Sequence, residues 1–501
     1  MEKNVLAWLE KSAEKNPDRT VYEDISESIT FGELLDEAKR IGSAICEAGL
    51  SGKPIAVMMG RSIHTIAAYL GIVYSGHAYA PIDSTQPVSR IEKILGLLEP
   101  EAVIRDKGTE GKPVEGLLGN VKSFGFEEIR SHEVDNERLK AAGASLTETS
   151  PLYIIFTSGS SGRPKGVITS HHSLMNYIEA YAGVMKITEE DRLCSQSPLD
   201  YIAAIRDIYL PLLRGAYSFI CPKEYFMQPD LLNGLLNDKR ITCVGWSTSA
   251  LCVLSKLRMF KSGRPEFLRK VCFSGSVMPA KVLREWQTEL PGTEFINQYG
   301  PTEVTASCTY HRIDHVVGEG EIIPVGVPYE NYKVFLLSDN DEAVEQGGYG
   351  EICVAGCSLA LGYYNDVERT GSSFVQNPLN GSYMETIYRT GDIGRFREDG
   401  CLEFHGRRDR QIKHMGHRVE LDEIEAAALA SADTAEAAAV YDKEKETIWL
   451  FYSGNAGVKE LIVGMRGFLP GFMVPRKVIK METLPRLANG KTDLEKLKES
   501  F

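Results

Sequence analysis

The 501-residue chain has no uninterrupted apolar run of the roughly 18 residues that a membrane-spanning helix needs, so no membrane partner is expected. No secretory leader is expected either: Met1-Glu-Lys-Asn-Val-Leu-Ala-Trp-Leu-Glu-Lys11 reads as the start of an amphipathic helix with acidic residues. Positive charge is scarce. Lys plus Arg total 56 against 69 Asp plus Glu, and the net charge of −13 argues against a nucleic-acid partner. It does not exclude a nucleotide, which needs only a local positive pocket. The ten cysteines show no paired zinc spacing. Cys353 and Cys357 lie four apart, but on a strand-and-turn segment with no histidine or second pair beside them. The cysteines read as reduced packing residues of a cytoplasmic protein. Internal repeats and low-complexity linkers are absent. So are the Walker pattern, which ends in Gly-Lys-Ser/Thr, and the Gly-x-Gly-x-x-Gly of dinucleotide folds.

What is present is ordinary globular material, 43% apolar and 25% charged, in a chain long enough for more than one domain. From about residue 30 to 350, apolar runs alternate with helical stretches. Pro54–Met59, Ala102–Ile104, Tyr153–Phe156, Ser218–Cys221, Ile241–Val244 and Val271–Phe273 read as strands, and His64–Tyr74 as a helix. This alternation predicts layered α/β sheets with much parallel pairing. Lys333–Leu337 and Gly350–Ala355 predict a small β subdomain. After Gly406 the character changes to a compact α+β unit. The expected division is an N-terminal core, 1–406, and a small mobile C-terminal domain, 407–501.

The most telling segment is Thr157-Ser-Gly-Ser-Ser-Gly-Arg-Pro-Lys165, which follows an apolar strand. Small residues let backbone N–H groups and hydroxyls curl around an anion, and the lysine adds charge. That chemistry grips a polyphosphate. The plainer alternative is a flexible surface turn.

The wording of this loop resembles the phosphate loop of the adenylate-forming superfamily: acyl-CoA synthetases, luciferases and nonribosomal peptide synthetase adenylation domains. The similarity continues in order along the chain. Ile29-Thr-Phe-Gly-Glu-Leu34 and Gly71-Ile-Val-Tyr-Ser-Gly-His-Ala-Tyr-Ala-Pro-Ile-Asp83 resemble two early motifs. Asn297-Gln-Tyr-Gly-Pro-Thr-Glu303 resembles the adenine and magnesium segment, and Gly350-Glu-Ile-Cys-Val-Ala-Gly356 a later strand motif. Tyr388-Arg-Thr-Gly-Asp392 resembles the ribose motif. Gly406 to Lys413 with Gly416-His-Arg-Val-Glu420 resembles the interdomain hinge. Leu469 to Pro475 and Leu484 to Lys491 resemble the two C-terminal motifs. The Tyr-Gly-Pro-Thr-Glu and Asn-Gly-Lys forms lean toward the peptide-synthetase branch.

The resemblance implies two-step acyl activation with ATP and Mg²⁺. Thr157, Ser158, Gly159, Ser160, Ser161, Gly162 and Lys165 would hold the β- and γ-phosphates. Tyr299, with Asn297 and Gly300 in its segment, would lie against the adenine. Thr302 would contact the α-phosphate, and Glu303 would ligate Mg²⁺. Asp392 would bind the ribose hydroxyls, with Arg407 supporting ribose or phosphate. Lys491 would stabilise charge during adenylation. In this family the C-terminal domain rotates after adenylation; Asp409 stands at the hinge position, and Lys413 and Gly416 fall near the incoming pantetheine. Each residue has a duller alternative: a core tyrosine, a capping or turn acid, a solvated lysine.

The acyl pocket implied by the resemblance comprises Ile202, Ala203, Arg206, Gly245, Cys272, Ser274, Gln298, Ala306 and Ser307, with Asp200 nearby. Ile202 stands where amino-acid-activating relatives carry the aspartate that pairs with the substrate ammonium. A buried ammonium without its partner costs about 3–5 kcal/mol, so an ordinary α-amino acid is disfavoured unless Asp200 supplies the charge. Arg206 could hold a carboxylate or polar substrate group, or simply pair with Asp200 or Asp207. The small and polar lining implies a modest acyl group.

No phosphopantetheine attachment site follows Lys491, so the acceptor is expected to be a separate phosphopantetheinylated carrier protein, or CoA. Gly245-Trp-Ser-Thr-Ser249 resembles the pocket segment of D-alanine–carrier protein ligases. The expected function is thus a ligase that activates a small carboxylic or amino acid as acyl-AMP and loads a carrier. The alternatives are an acyl-CoA ligase for an aryl, keto or other non-amino acid, and a non-catalytic nucleotide-binding relative.

Overall fold

A computed structural model describes residues 2–109, 113–159, 163–431, 433–487 and 492–500. Two large mixed sheets carry the N-terminal part. The first has nine strands, and its centre is parallel: Glu294–Tyr299, Lys270–Ser274, Cys243–Ser247, Arg192–Ser195, Tyr217–Ile220 and Thr20–Glu23 lie side by side in that order. The second has seven strands, with Pro151–Thr157, Tyr79–Pro81, Ile55–Met58, Ala102–Arg105 and Lys122–Gly125 parallel. The α/β reading of the sequence holds.

Two helices show how residues set this packing. Phe31–Glu47 opens on a capping box, Thr30 with Glu33. It lies against Ile63–Tyr74, which is buried along nearly its whole length. A Cβ at Gly71 would fall 2.4 Å from Ile41 Cγ2, and one at Gly42 would fall 2.7 Å from Tyr74 Cβ. The first residue of the second early motif is therefore a helix-contact glycine.

A five-stranded antiparallel sheet forms the small β subdomain; Thr386–Phe396 pairs with Tyr349–Gly356, Phe374–Gln376 and Leu402–Arg407. From Arg407 the chain passes into a hairpin, Gln411–His414 with His417–Glu420. A three-stranded sheet, Thr434–Asp442, Thr447–Gly454 and Lys477–Lys480, follows with helices Leu421–Ser431 and Val458–Met465. The apolar clusters formed by residues beyond 410 contain no residue from before it. That separation supports, as a proposal, the division at 406/407. Among the described residues no helix is long and apolar enough to cross a membrane.

One strand is displaced from its expected place. Ile241–Val244 reads as a strand, but pairing runs over Cys243–Ser247. Arg240 takes a left-handed conformation (φ 51°), and the Ile241 N–H donates to the Leu236 carbonyl at 2.8 Å. Ile241 thus closes the helix Pro229–Asp238 in a Schellman-type end, with its side chain buried. The shift carries the strand through Gly245 to the cleft described next.

Candidate active site

The phosphate-loop segment joins two antiparallel strands, Pro151–Thr157 and Lys165–Ser170, with Thr157 paired to Lys165. Ser160, Ser161 and Gly162 lie outside the described residues. Gly159 has no room for a side chain: a Cβ would come within 2.3 Å of the Arg163 carbonyl oxygen. Thr157 Oγ1 is buried and has no hydrogen-bond partner among the described residues. Such an orphaned hydroxyl fits an incoming phosphate oxygen.

At the end of Glu294–Tyr299 the chain turns sharply. A Cβ on Gly300 would lie 2.5 Å from Ser307 Cα, and Thr305 and Ala306 are both left-handed, at φ 60° and 72°. Each such residue costs about 1–3 kcal/mol and persists only under tertiary constraint. This turn holds Glu303, which is fully buried. Glu303 accepts from Lys165 Nζ at 2.8 Å, Tyr363 Oη at 2.9 Å and Arg418 Nη1 at 2.9 and 3.1 Å. Burial alone would raise its pKa, but Arg418 and then Lys165 more than offset it and hold the carboxyl well below the usual range. Burial and the nearby Arg418 push Lys165 down to about 8, opposed by Glu303.

A second cluster lies beside it. The Asp392 carboxylate accepts from Tyr299 Oη and from Arg407 Nη1. Arg407, opposite Asp392 in the antiparallel register, also donates to Asp409 at 2.6 and 2.7 Å. The expected ribose pair and the expected hinge residue are thus one linked group. Asn297 donates to the Pro324 carbonyl at 2.8 Å, a bond that positions the strand.

The C-terminal hairpin reaches into the same place. Its tip, Met415-Gly416, has positive φ at both residues (52° and 83°), as a tight two-residue hairpin turn requires. A Cβ on Gly416 would sit 3.3 Å from Ser247 Oγ. Lys413 and Gly416 both line the cleft, together with Thr302, Asp392, Arg407 and Ser247. Lys413 Nζ lies 6.0 Å from the Tyr299 ring centroid. Its side chain is open to the cleft but surrounded by protein, which pushes its pKa down to about 8 through burial. Ser158 Oγ donates to the Arg418 carbonyl at 2.7 Å, so the phosphate loop and the hairpin touch directly.

Of the expected acyl-pocket residues, Ile202, Ala203, Arg206, Ser274 and Ala306 line the cleft. Gly245, Cys272, Gln298 and Ser307 are not on its wall. Arg206 lies between: its Nη1 donates to Gln298 Oε1 at 2.9 Å and sits 4.0 Å from Cys272 Sγ. Asp200 lines a neighbouring cleft, where Gln86 Nε2 approaches it at 3.5 Å. Its pKa is raised to about 7, by burial first and Asp83 second. Lys491 lies outside the described residues. Arg418 and Tyr363 carry roles that sequence reasoning assigned to neither. Arg418 stands inside the hinge motif Gly416-His-Arg-Val-Glu420, which is a signal in the sequence; Tyr363 has none.

A model of the family described as AMP-binding enzyme matches residues 9–364. The chain belongs to the AMP-binding enzyme family. Family members similar to it include surfactin synthase subunit 2 of Bacillus subtilis (strain 168), 31% identical over 500 residues, covering 97% of this chain and 13% of that protein. Tyrocidine synthase 1 of Brevibacillus parabrevis is 28% identical over 504 residues, covering 99% and 45%. The chain thus spans less than half the length of these relatives. Among solved structures, holo-PA1221, an NRPS protein containing adenylation and PCP domains, superposes with a TM-score of 0.83 at 26% identity over 99% of this chain and 84% of that one. An o-succinylbenzoate CoA synthetase from Bacillus subtilis superposes at 0.86 with 20% identity, over 99% and 98%, a likeness of fold. The fold is that of the adenylate-forming enzymes, with a large N-terminal and a smaller C-terminal domain.

Proposed function

We propose that this protein activates a small carboxylic or amino acid with ATP and passes the acyl group to the phosphopantetheine thiol of a separate carrier protein. The observation that carries the reading is convergence on one cleft. The Glu303 turn, the Asp392–Arg407 pair and the C-terminal hairpin meet there, and the phosphate loop, whose Thr157 and Ser158 line the adjoining cleft, is joined to them through the Ser158–Arg418 and Lys165–Glu303 bonds.

In the first step an oxygen of the acid attacks the α-phosphorus of ATP, and the bond to the β-phosphate oxygen breaks to release pyrophosphate. Catalysis of this kind is mostly positioning and charge neutralisation. Lys165 and the Thr157 and Ser158 hydroxyls would hold phosphate oxygens, and Asp392 the ribose. Lys491 would neutralise developing charge. Mg²⁺ would be held by Glu303, a deprotonated carboxylate suited to a hard cation. No group of three or more His, Cys, Asp or Glu gathers as a metal site among the described residues.

Glu303 is at present occupied by Arg418. The hairpin must withdraw before Glu303 can serve a metal, so the arrangement described here suits the second step. There the thiol sulfur attacks the acyl carbon, the bond to the AMP oxygen breaks, and the thiol proton is released. Lys413 and Gly416 at the hairpin tip would border the path of the thiol arm.

One observation favours a second acceptor. Lys223, Arg466 and Arg476 line the neighbouring cleft, and free CoA carries more phosphate than a carrier-bound arm. Loading assays with a holo carrier protein and with CoA, each with acid and ATP, test the reading. Acyl transfer to the carrier supports it; transfer to CoA alone selects the second acceptor, and ATP binding with no acid activation overturns both.

A further inference from the structure

Arg206 is 2% exposed, yet it stands on the wall of the active-site cleft. It opens the helix Ala204–Arg214 one turn after Ile202, which brings no charge. Its Nη1 donates to Gln298 Oε1 at 2.9 Å and its Nε to the Ala203 carbonyl at 3.3 Å. The Tyr181 ring centroid lies 5.6 Å away. All these partners are neutral. No carboxylate makes a contact ion pair with Arg206 among the described residues: the buried Asp207 acts on it through space without a hydrogen bond between them and keeps Oδ2 unpartnered, and Asp200 lines the other cleft. Among the described residues the guanidinium's hydrogen bonds run from Nε and Nη1 only. A guanidinium remains charged in proteins and matches a carboxylate with two parallel N–H bonds. A buried charge without a counter-ion in contact is unfavourable, and an arriving anion relieves it.

Size points the same way. Gly245, Cys272, Gln298 and Ser307 lie off the cleft wall, and Arg206 touches two of them. Even a methyl on Gly245 would press on Tyr181 Oη at 3.0 Å and approach the Arg206 guanidinium carbon at 3.9 Å. The guanidinium therefore floors the pocket and shortens it.

Building on the acid-activating reading above, we propose that the substrate is a short dicarboxylic acid: one carboxylate is activated by ATP, and the other is held by Arg206. Ile202 on the wall brings no charge to hold an ammonium.

The test is ATP–pyrophosphate exchange with malonate, succinate and glutarate, their monomethyl esters, butyrate, pyruvate and the proteinogenic amino acids. One dicarboxylate should exceed its own monomethyl ester by about 10²–10³-fold in kcat/KM, the range for leaving a buried charge unpaired. Arg206→Gln should bring that ratio near one. Should the variant fail to fold, the wild-type ratio of diacid to monoester decides alone. Exchange driven equally well by the ester, or driven by butyrate, pyruvate or an amino acid and by no dicarboxylate, overturns the inference and leaves acid activation standing. Exchange with no member of a broad carboxylate library overturns acid activation itself.

Discussion

Arg418→Ala separates the two chemical steps. Arg418 donates to both oxygens of Glu303 at 2.9 and 3.1 Å, across the boundary between the C-terminal hairpin and the N-terminal core. Breaking a buried ion pair costs about 3–5 kcal/mol when the remaining charge is left bare. Here it is not bare, because Lys165 and Tyr363 keep their bonds to Glu303. The Ser158 bond to the Arg418 carbonyl also survives truncation of the side chain. The expected loss is therefore that of charged hydrogen bonds, about 1.5–3 kcal/mol. It falls only on the arrangement in which the hairpin covers Glu303. That equilibrium should shift by about 10–100-fold toward the withdrawn arrangement. Pyrophosphate exchange reports the first step, and single-turnover loading of a holo carrier from preformed adenylate reports the second. Exchange should hold or rise while loading slows by about 10–100-fold, and Arg418→Lys should recover part of the loss. A variant in which both steps fall in proportion, or loading is untouched, refutes the reasoning.

Three further perturbations follow from the same geometry. Lys491→Ala should nearly abolish adenylation and leave ATP affinity largely intact, since charge developing in the transition state is its expected partner; parallel losses in a binding titration and in exchange would make it a plain binding residue. Asp409→Pro fixes φ at the hinge position and removes the carboxylate that Arg407 holds; adenylate should still form while loading stalls, and wild-type loading would end the rotating-domain reading. Asp200 has its folded pKa raised to about 7 by burial and then by Asp83, so the native state holds a proton that the unfolded chain releases near pH 4. The stability this supplies is present at low pH and lost as pH rises through 7, by up to about 1.4 kcal/mol per unit. Asp200→Asn should thus gain on wild type between pH 5 and pH 8 in urea unfolding; an unchanged difference would contradict the shift.

Much of this molecule is legible in its sequence because the chemistry is local. A loop of small residues between two apolar runs, with a lysine at its end, can be read as an anion grip without coordinates. The α/β alternation is likewise written in apolar runs of strand length. What escapes is what tertiary structure creates. Glu303 meets Lys165 and Arg418 from 138 and 115 residues away, and no spacing rule joins them. Tyr363 sits in a stretch with no catalytic signature, yet donates to the same carboxylate. Asp200 and Ile202 are two residues apart yet line different clefts in the turn that precedes the helix Ala204–Arg214. Ile241 looks like strand and ends a helix, because a hydrophobic residue after a left-handed turn packs back on the last turn of that helix.

The central claim is that the cleft makes an acyl-adenylate. The direct measurement is acid-dependent incorporation of labelled pyrophosphate into ATP by the full chain, with Lys491→Ala as its control. Label should enter ATP only when an accepted carboxylic acid is present, and none should enter with the variant. ATP bound by the wild type with no label incorporated across a broad carboxylate library, or hydrolysis to ADP and phosphate instead, would contradict it.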